Sequence, residues 1–280
     1  MEERLIELIS KYELEDLSES ILKEVYYGIL VSRDTSEMPR TRDSKFGGLP
    51  LLPVNFSYPT HKGRPLDFIL QLNCKDLVNL NVAEPLPESG FLYFFYDSIE
   101  QPLGHAFDDI DGSLVAYVSE SETLQPYQHP VGTDNRIFIE SKLKFDELLT
   151  LPNPSIFDNV HDIEAVARYL NLLTEWREIY LKGEPHHQIL GTPTELHGSM
   201  QEICDLASTG RTYPKGNKRG KYYVDKSSEW RLLFQIDSNI HHADLPGGFC
   251  WGDFGRLFAW IRESDLRDCN FKNAWTVLEW

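Results

Sequence analysis

Two aspartates and a tryptophan near the C-terminus are the side chains whose types and positions could form a small-molecule site. Asp237 closes the apolar segment 232–236, and Trp251 and Asp253 belong to the turn-like run WGDFG at 251–255. If neighbouring strands bring the two carboxylates together, they could bind a cation or act as an acid and a base. Trp251 could stack against a sugar or a peptide. The alternative is structural: the aspartates accept hydrogen bonds from turn amides, and the glycines supply special dihedral angles.

Two glutamines lie inside apolar segments that predict strands. Gln71 is part of FILQLN at 68–73, and Gln235 is part of LLFQID at 232–237. A buried amide is costly unless it is hydrogen-bonded, so we expect both side chains to bond the backbone or each other at equivalent places. Contact with a ligand is the alternative interpretation of both glutamines.

Imidazoles could take part in a metal site. They occur in two groups, which are His186, His187 and His197, and His241 and His242 with Asp244. Adjacent residues of a strand point to opposite faces, so each neighbouring pair could offer only one ligand, and we predict no metal and no other cofactor. The commonest catalytic and nucleotide-binding motifs are absent, which leaves the catalytic residues unassigned and favours a protein without catalytic activity.

The charge balance is strongly acidic. Aspartate and glutamate number 44 against 27 lysines and arginines, which gives a formal charge of -17. Such a chain repels a phosphate backbone, so nucleic acid is not expected as a partner.

The acidic residues concentrate between positions 97 and 164, where an acidic surface could attract a basic protein. The residues predicted to bind such a partner are Asp108, Asp109, Asp111, Glu120 and Glu122. We therefore expect a non-catalytic interaction protein of the inhibitor or immunity type. The alternative is an enzyme or a binder of saccharides or other small ligands that uses the region of Asp237, Trp251 and Asp253.

Cysteine usage and hydropathy bear on location. The chain starts without a basic region followed by an apolar run, and no apolar stretch approaches the roughly 18 residues that a membrane span needs. The cysteines Cys74, Cys204, Cys250 and Cys269 are far apart and form no C-x-x-C pair, which is typical of reduced thiols. We expect a cytoplasmic protein without membrane contact.

Helical and strand periodicities alternate along the chain. Apolar residues at helical spacing predict one or two helices over 4–25, with a break at 12–14, and a long central helix over about 162–182 with Asp162 as its cap. Short apolar segments between turn residues predict strands, at 26–31, 68–72, 91–96, 114–118, 136–139, 232–237 and 255–261.

Three landmarks recur in the same order after the central helix. GLP at 48–50 returns as GTP at 191–193, the Gln71 segment returns at Gln235, and GFLYFFY at 90–96 returns as GRLFAWI at 255–261. Self-similarity of this kind indicates repeated structural units. It predicts two diverged copies of one β-rich unit, at about 44–150 and 186–280, with a helical N-terminal extension at about 1–30.

The same landmarks carry a resemblance to a known family. The segments SKFGGLP at 44–50, FILQLN at 68–73, LPESGFLYFF at 86–95, LFQIDS at 233–238 and WGDFGRL at 251–257 resemble the YwqG-like family. The likeness runs from about Ser44 to the C-terminus, and the first 40 residues carry no landmark of that family. It implies a duplicated α+β fold in a mostly bacterial, soluble protein whose family is a domain of unknown function, and it supplies no catalytic residues.

The expected fold class is therefore α+β. We predict a single domain over 1–280 in which a mainly antiparallel sheet, the N-terminal helices and the central helix form one body.

Overall fold

The structure, a computed structural model, describes residues 1–34, 36–127, 136–157, 162–195, 200–211, 229–239 and 248–280. The helices are α1 (Glu2–Lys11), α2 (Ser18–Lys23), α3 (Ile163–Tyr180), α4 (Met200–Ser208) and α5 (Glu263–Arg267). The strands of the first half are β1 (Tyr26–Asp34), β2 (Lys45–Phe46), β3 (Leu51–Pro53), β4 (Thr60–His61), β5 (Arg64–Pro65), β6 (Asp67–Asn73), β7 (Phe91–Tyr96), β8 (Ser113–Val118) and β9 (Leu124–Pro126). The later strands are β10 (Ser141–Thr150), β11 (His187–Ile189), β12 (Trp230–Asp237), β13 (Arg256–Arg262) and β14 (Trp275–Glu279).

One large antiparallel sheet dominates the described residues. Its strand order is β14-β13-β12-β11-β1-β10-β2-β6-β7-β8, so the long pair β1 and β10 lies in the middle with four strands on either side. The sheet curls until its two arms meet, because Phe94 of β7 and Phe234 of β12 have ring centroids only 6.2 Å apart. The predicted α+β class with a mainly antiparallel sheet is confirmed.

The strand β7 shows why much of the sheet lacks alternation of polar and apolar residues. Leu92, Phe94 and Tyr96 point into the curled core, whereas Phe91 and Tyr93 pack into a second apolar cluster on the outer face. Both faces are covered, so every residue of the strand is buried. A strand covered on both faces reads as a continuous apolar run.

The helices α1 to α4 cover the outer face of the sheet, whereas α5 buries Leu266 in the core inside the curl. Leu5 of α1, Ile21 of α2 and Trp176 of α3 form a cluster with Leu149 of β10, while α4 packs over β12, β13 and β14. The predicted N-terminal extension is therefore more than an addition to the fold, since β1 pairs with both β10 and β11 at the centre of the sheet. Among the described residues, none of the helices has the length and apolarity needed to cross a bilayer.

Several predicted elements appear with the expected bounds, and one does not. The break after α1 and the cap of α3 are confirmed, because the Asp162 carboxylate accepts a hydrogen bond from the Ala165 backbone N–H at 3.0 Å. The strand predicted at 136–139 is wrong, and the ladder begins instead at Ser141. The segment that follows, β10, escapes prediction because polar residues such as Lys142, Lys144 and Asp146 interrupt its apolar pattern.

Candidate functional site

The two strand glutamines hold the ends of two loops. Gln71 Oε1 accepts from the Leu51 backbone N–H at 2.9 Å, and Gln235 Oε1 accepts from the Thr194 backbone N–H at 2.8 Å. The Gln71 Nε2 group donates to the carbonyl oxygens of Thr41 and Asp43.

Gln235 Nε2 donates to the His186 carbonyl oxygen and to the Asp237 carboxylate, each at 3.0 Å. Both glutamines are fully buried. The expectation that they bond backbone groups is confirmed, and the alternative role as ligand contacts is not available to amides enclosed in this way.

Trp251 cannot stack against a ligand. It is fully buried, with its ring against Phe249, Phe138 and Tyr96. The turn chemistry of WGDFG suggested an exposed ring, but the segment folds inward and the indole closes the core. The buried ring of Trp251 therefore presents no exposed face on which a saccharide could stack.

Asp237 and Asp253 occupy different environments. Asp237 is buried at the end of β12, where it accepts from Gln235 Nε2 and from Arg256 Nε at 3.1 Å. Burial raises the pKa of Asp237, although Arg256 acts in the opposite direction. Asp253 is exposed and makes no hydrogen bond with any described residue, so it neither braces its turn nor lines the cavity at Asp237. The two carboxylates do not share a cleft in the described part of the chain.

Asp237 instead belongs to a cavity that contains two arginines. We call this cavity of about 320 Å³ the arginine pocket; the polar residues that define it are Arg177, His186, Thr194, Asp237 and Arg256. Arg256 is fixed by the ion pair with Asp237 and by a hydrogen bond from Nη1 to the Thr194 carbonyl oxygen at 3.2 Å. The loop that carries Thr194 is held in place by Gln235, so a strand amide positions one wall of the pocket.

Arg177 reaches the pocket from the last turns of α3. Its side chain forms no ion pair and no hydrogen bond with any described residue, although it lies close enough to Arg256 for the two charges to interact. Desolvation lowers the pKa of Arg177 and the neighbouring Arg256 adds to that effect, while the negative charge of Asp237 acts in the opposite direction. Among the described residues, the pocket therefore holds one arginine in an ion pair with Asp237 and a second, exposed arginine without an ion pair of its own.

His186 is a neutral component of the pocket. Burial lowers its pKa to about 3, with further contributions from Arg177 and Arg256. Its Nδ1 lies 3.2 Å from the Thr194 hydroxyl, while its Nε2 is buried without a hydrogen-bond partner. An uncharged imidazole adds hydrogen-bonding capacity to the pocket without adding charge.

Two further cavities continue from the arginine pocket. The first, the apolar pocket, has a volume of about 400 Å³ and shares Arg177, His186 and Thr194 with the arginine pocket. The second, the wide groove, has about 930 Å³ and meets the apolar pocket at Asn153 and Glu195. The three cavities are thus linked in series by the residues that they share.

The wide groove has a different charge pattern from the arginine pocket. Its two arginines, Arg231 and Arg267, both pair with Glu263, at 2.8 Å and 2.7 Å. Glu195, where the groove meets the apolar pocket, has its pKa raised to about 7 by burial, although the Met200 backbone N–H donates to it. An unpaired cation is therefore a property of the arginine pocket and not of the larger groove.

The predicted acidic surface divides into structural and free carboxylates. Asp109 accepts from the backbone N–H groups of Gly104, His105 and Ala106, and so holds a turn, while Glu120 pairs with Lys75. Asp108, Asp111 and Glu122 are exposed.

No group of three or more His, Cys, Asp or Glu residues suited to a metal occurs among the described residues. Part of one predicted metal group, His186 and His187, is described and lies apart from any such set. The remaining members, His197, His241, His242 and Asp244, lie outside the described residues.

Fold and site together define an antiparallel α+β protein with a polar pocket at the junction of its central helix and its sheet. The chain belongs to the family described as Domain of unknown function (DUF1963), whose profile matches residues 44–279. A comparison with curated proteins found no match.

Sequence reasoning located Asp237 but missed Arg177 and Arg256. Arg177 occupies a polar position of an amphipathic helix, where an arginine usually faces solvent. Besides Asp237 and His186, the recurrence of GTP at 191–193 was a sequence signal close to the pocket, because Thr194 follows it directly.

Proposed function

We propose that this protein is a non-catalytic binding protein that takes an anionic ligand in the arginine pocket. The observation that carries the proposal is Arg177, an exposed guanidinium that lines a cavity beside Arg256 and makes no hydrogen bond or ion pair with the residues that the structure describes. Arginine offers a planar set of donors that matches carboxylate and phosphate oxygens, and charge-assisted hydrogen bonds of this kind are the stronger ones.

The charges of the pocket favour an anion of low charge. Asp237 pairs with Arg256, so Arg177, whose side chain is exposed to solvent, is the arginine that can approach an anion. Glu178 and Glu184 also line the cavity and are exposed, so a multiply charged anion meets repulsion on its way in.

Binding is better supported than catalysis. The closest approach to a nucleophile and base is the Thr194 hydroxyl beside His186 Nδ1. A general base works best when its pKa is near the working pH, and a pKa of about 3 leaves His186 a weak base. The same neutrality suits a hydrogen-bonding role toward a bound anion.

Titration with acetate and inorganic phosphate, followed by NMR chemical shifts of the full chain, tests the proposal. We expect saturable shifts around the arginine pocket, and Arg177→Gln should weaken binding about tenfold or more, because hydrogen bonds to charged groups contribute about 1.5–3 kcal/mol. Lys182→Gln removes the same charge from an exposed neighbour that does not line the pocket and should leave binding unchanged. Equal losses in both variants would contradict a specific site.

A second candidate function is association with a basic protein through the acidic surface. A specific observation favours it: Phe107 and Ile110 are each 48% exposed, and each directly precedes an exposed carboxylate, Asp108 and Asp111 respectively. Exposed apolar side chains among acidic ones are suited to a basic partner with an apolar contact patch. Of the five acidic residues predicted, Asp109 and Glu120 serve intramolecular contacts, which leaves Asp108, Asp111 and Glu122 for the partner.

Association kinetics with cytochrome c as a basic probe test this second function. Asp108→Lys combined with Asp111→Lys should slow association and flatten its salt dependence, because exposed charge steers encounter and salt screens it. Glu19→Lys combined with Glu3→Lys, on the exposed N-terminal helices, controls for net charge. If both double variants slow association equally, the rate depends only on net charge and the acidic surface is not the binding site.

We also infer that the two arms of the sheet are diverged copies of one unit. Support comes from the equivalent hydrogen bonds of Gln71 and Gln235, and from register shifts in β6 between Phe68 and Leu70 and in β12 between Leu232 and Phe234. The likeness to YwqG-like proteins, with their mostly bacterial origin, and a cytoplasmic location suggested by the cysteine usage belong to the same proposal.

A further inference from the structure

The arginine pocket opens directly into an apolar cavity. Arg177, His186 and Thr194 line both spaces, so a ligand group held by Arg177 stands at the entrance to the apolar pocket. Together the two cavities, of about 400 and 320 Å³, fall in the size range of sites for organic small molecules.

The walls of the apolar pocket combine polar side chains, among them Asn153, Thr192 and Glu195, with hydrocarbon and aromatic ones. The hydrocarbon and aromatic side chains come from the end of β10 and from one side of α3, and include Leu149, Leu151, Leu173, Trp176 and Tyr180. The Trp176 indole N–H already donates to the Leu149 carbonyl oxygen at 3.2 Å, so that ring offers a ligand an apolar surface. Leu170, at the rim, is 47% exposed although it is apolar.

Permanent charge therefore lies at the arginine end of the combined cavity, whereas the apolar pocket is lined by apolar surface together with Glu195, whose pKa burial raises to about 7. Burying a methylene group contributes about 0.8 kcal/mol, whereas a carboxylate needs a charged or strongly donating partner to leave water. A molecule with a single anionic head and an apolar body satisfies both ends at once.

We propose that the ligand is a hydrophobic carboxylic acid, with its carboxylate on Arg177 and its hydrocarbon body in the apolar pocket. This inference rests on the anion-binding function proposed above and adds the ligand class. Asp237 is committed to Arg256, so the ligand carboxylate does not compete for that arginine. The rim glutamates Glu178 and Glu184 disfavour a dianion, which selects a monocarboxylate over a phosphate monoester.

Calorimetric titration of the full chain with butanoate, hexanoate, octanoate and decanoate tests the ligand class. Affinity should rise about fourfold for each added methylene until the apolar pocket is filled, since about 0.8 kcal/mol corresponds to that factor. Octanol and octylamine should bind at least tenfold more weakly than octanoate, because neither presents an anion to Arg177.

Variants separate the apolar pocket from the arginine pocket. Leu173→Trp should reduce the gain with chain length while leaving butanoate binding within about twofold of the wild type. Leu170 is about half exposed, so Leu170→Ser should disturb folding little. This variant should weaken the binding of decanoate more than the binding of butanoate. Ile163→Ser is the matched control, because Ile163 is an exposed apolar residue of the same helix, 84% exposed and outside both pockets.

The outcomes distinguish the two proposals. Carboxylate binding that depends on Arg177 but not on chain length would overturn the ligand class and keep the anion site. A gain with chain length that survives both Leu173→Trp and Leu170→Ser would place the hydrocarbon elsewhere and overturn the inference. Absence of any saturable binding by carboxylates or phosphate would overturn the anion-binding function and the ligand class together.

Discussion

At the scale of single residues, the ion pair between Asp237 and Arg256 determines what the arginine pocket can bind. Asp237 accepts from Arg256 Nε at 3.1 Å and from Gln235 Nε2 at 3.0 Å, so its oxygens are occupied by the protein. The second guanidinium, on Arg177, therefore remains for a ligand. The pairing of Asp237 with Arg256 thus leaves the Arg177 guanidinium as the group offered to an anion, with Glu178 and Glu184 at the same cavity.

Replacing Asp237 should cost much more stability than replacing Asp253. Asp237→Asn leaves Arg256 without its counter-charge in a largely buried site, and we expect a loss of about 2–4 kcal/mol in the free energy of unfolding. Asp253→Asn changes an exposed side chain without a described hydrogen bond and should stay within about 0.5 kcal/mol of the wild type. Urea denaturation measures both, and similar losses in the two variants would contradict the assignment.

Glu195 should make stability fall as the pH rises from about 4.5 to about 7. The folded protein keeps the carboxyl protonated up to a pKa of about 7, whereas the unfolded chain loses the proton near 4.5. The stabilisation is therefore complete below pH 4.5 and is lost through this window, by roughly 3 kcal/mol. Glu195→Gln should remove this dependence of the free energy of unfolding on pH, whereas Glu184→Gln, at an exposed position, should retain it. Urea denaturation of both variants at several pH values measures the difference.

At the scale of elements, two strand amides perform the same structural task with different consequences. Gln71 fixes the start of β3 at Leu51, and Gln235 fixes the segment after β11 at Thr194. The Thr194 loop forms a wall of the arginine pocket, whereas Leu51 lies in β3 on the other arm. A matched pair of substitutions can therefore separate folding from binding.

Both Gln71→Leu and Gln235→Leu should destabilise the fold by about 2–4 kcal/mol, because each leaves buried backbone groups without partners. Gln235→Leu alone should also weaken acetate and phosphate binding, since it releases Thr194 and one partner of Asp237. Thermal unfolding and ligand titration on the two variants provide the comparison. Equal effects on binding would show that the Thr194 loop does not shape the pocket.

At the scale of the whole molecule, the region matched to the family is smaller than the unit that folds. The match begins at residue 44, yet β1 (Tyr26–Asp34) lies between β10 and β11 in the middle of the sheet. Removing β1 would leave two arms joined without their central ladder. The helices α1 and α2 complete the cluster that packs α3 against β10.

A chain that starts at Ser44 should therefore fail to fold. Loss of β1 leaves the edges of β10 and β11 unpaired. It also removes Ile29 and Val31, two apolar residues that fill the core. A chain that starts at Glu24 keeps β1 but exposes the cluster under α3, and it should fold with a clearly lower melting temperature. Circular dichroism and thermal melting of the two shortened chains and the intact protein test both expectations. A cooperative unfolding transition for the chain that starts at Ser44 would contradict the need for β1.

Local patterns in the sequence determined the fold class, the strands β6, β7, β12 and β13, the helix α3 and its cap, and the burial of the two glutamines. Each depends on neighbours close in the chain: apolar runs between turn residues, helical spacing, or an amide inside an apolar strand. The sequence did not predict the strands β10 and β11 or the helix α4, because their apolar positions are few or interrupted.

The tertiary structure alone decided which charged residues meet. Arg177, Thr194 and Arg256 are distant in sequence and come together only when the end of α3, the loop after β11 and the start of β13 pack at one edge of the sheet. The same packing buried Trp251 and separated Asp253 from Asp237. A side chain's residue type fixes the chemistry it can perform, but its partners depend on long-range packing, which no local pattern in this sequence encodes.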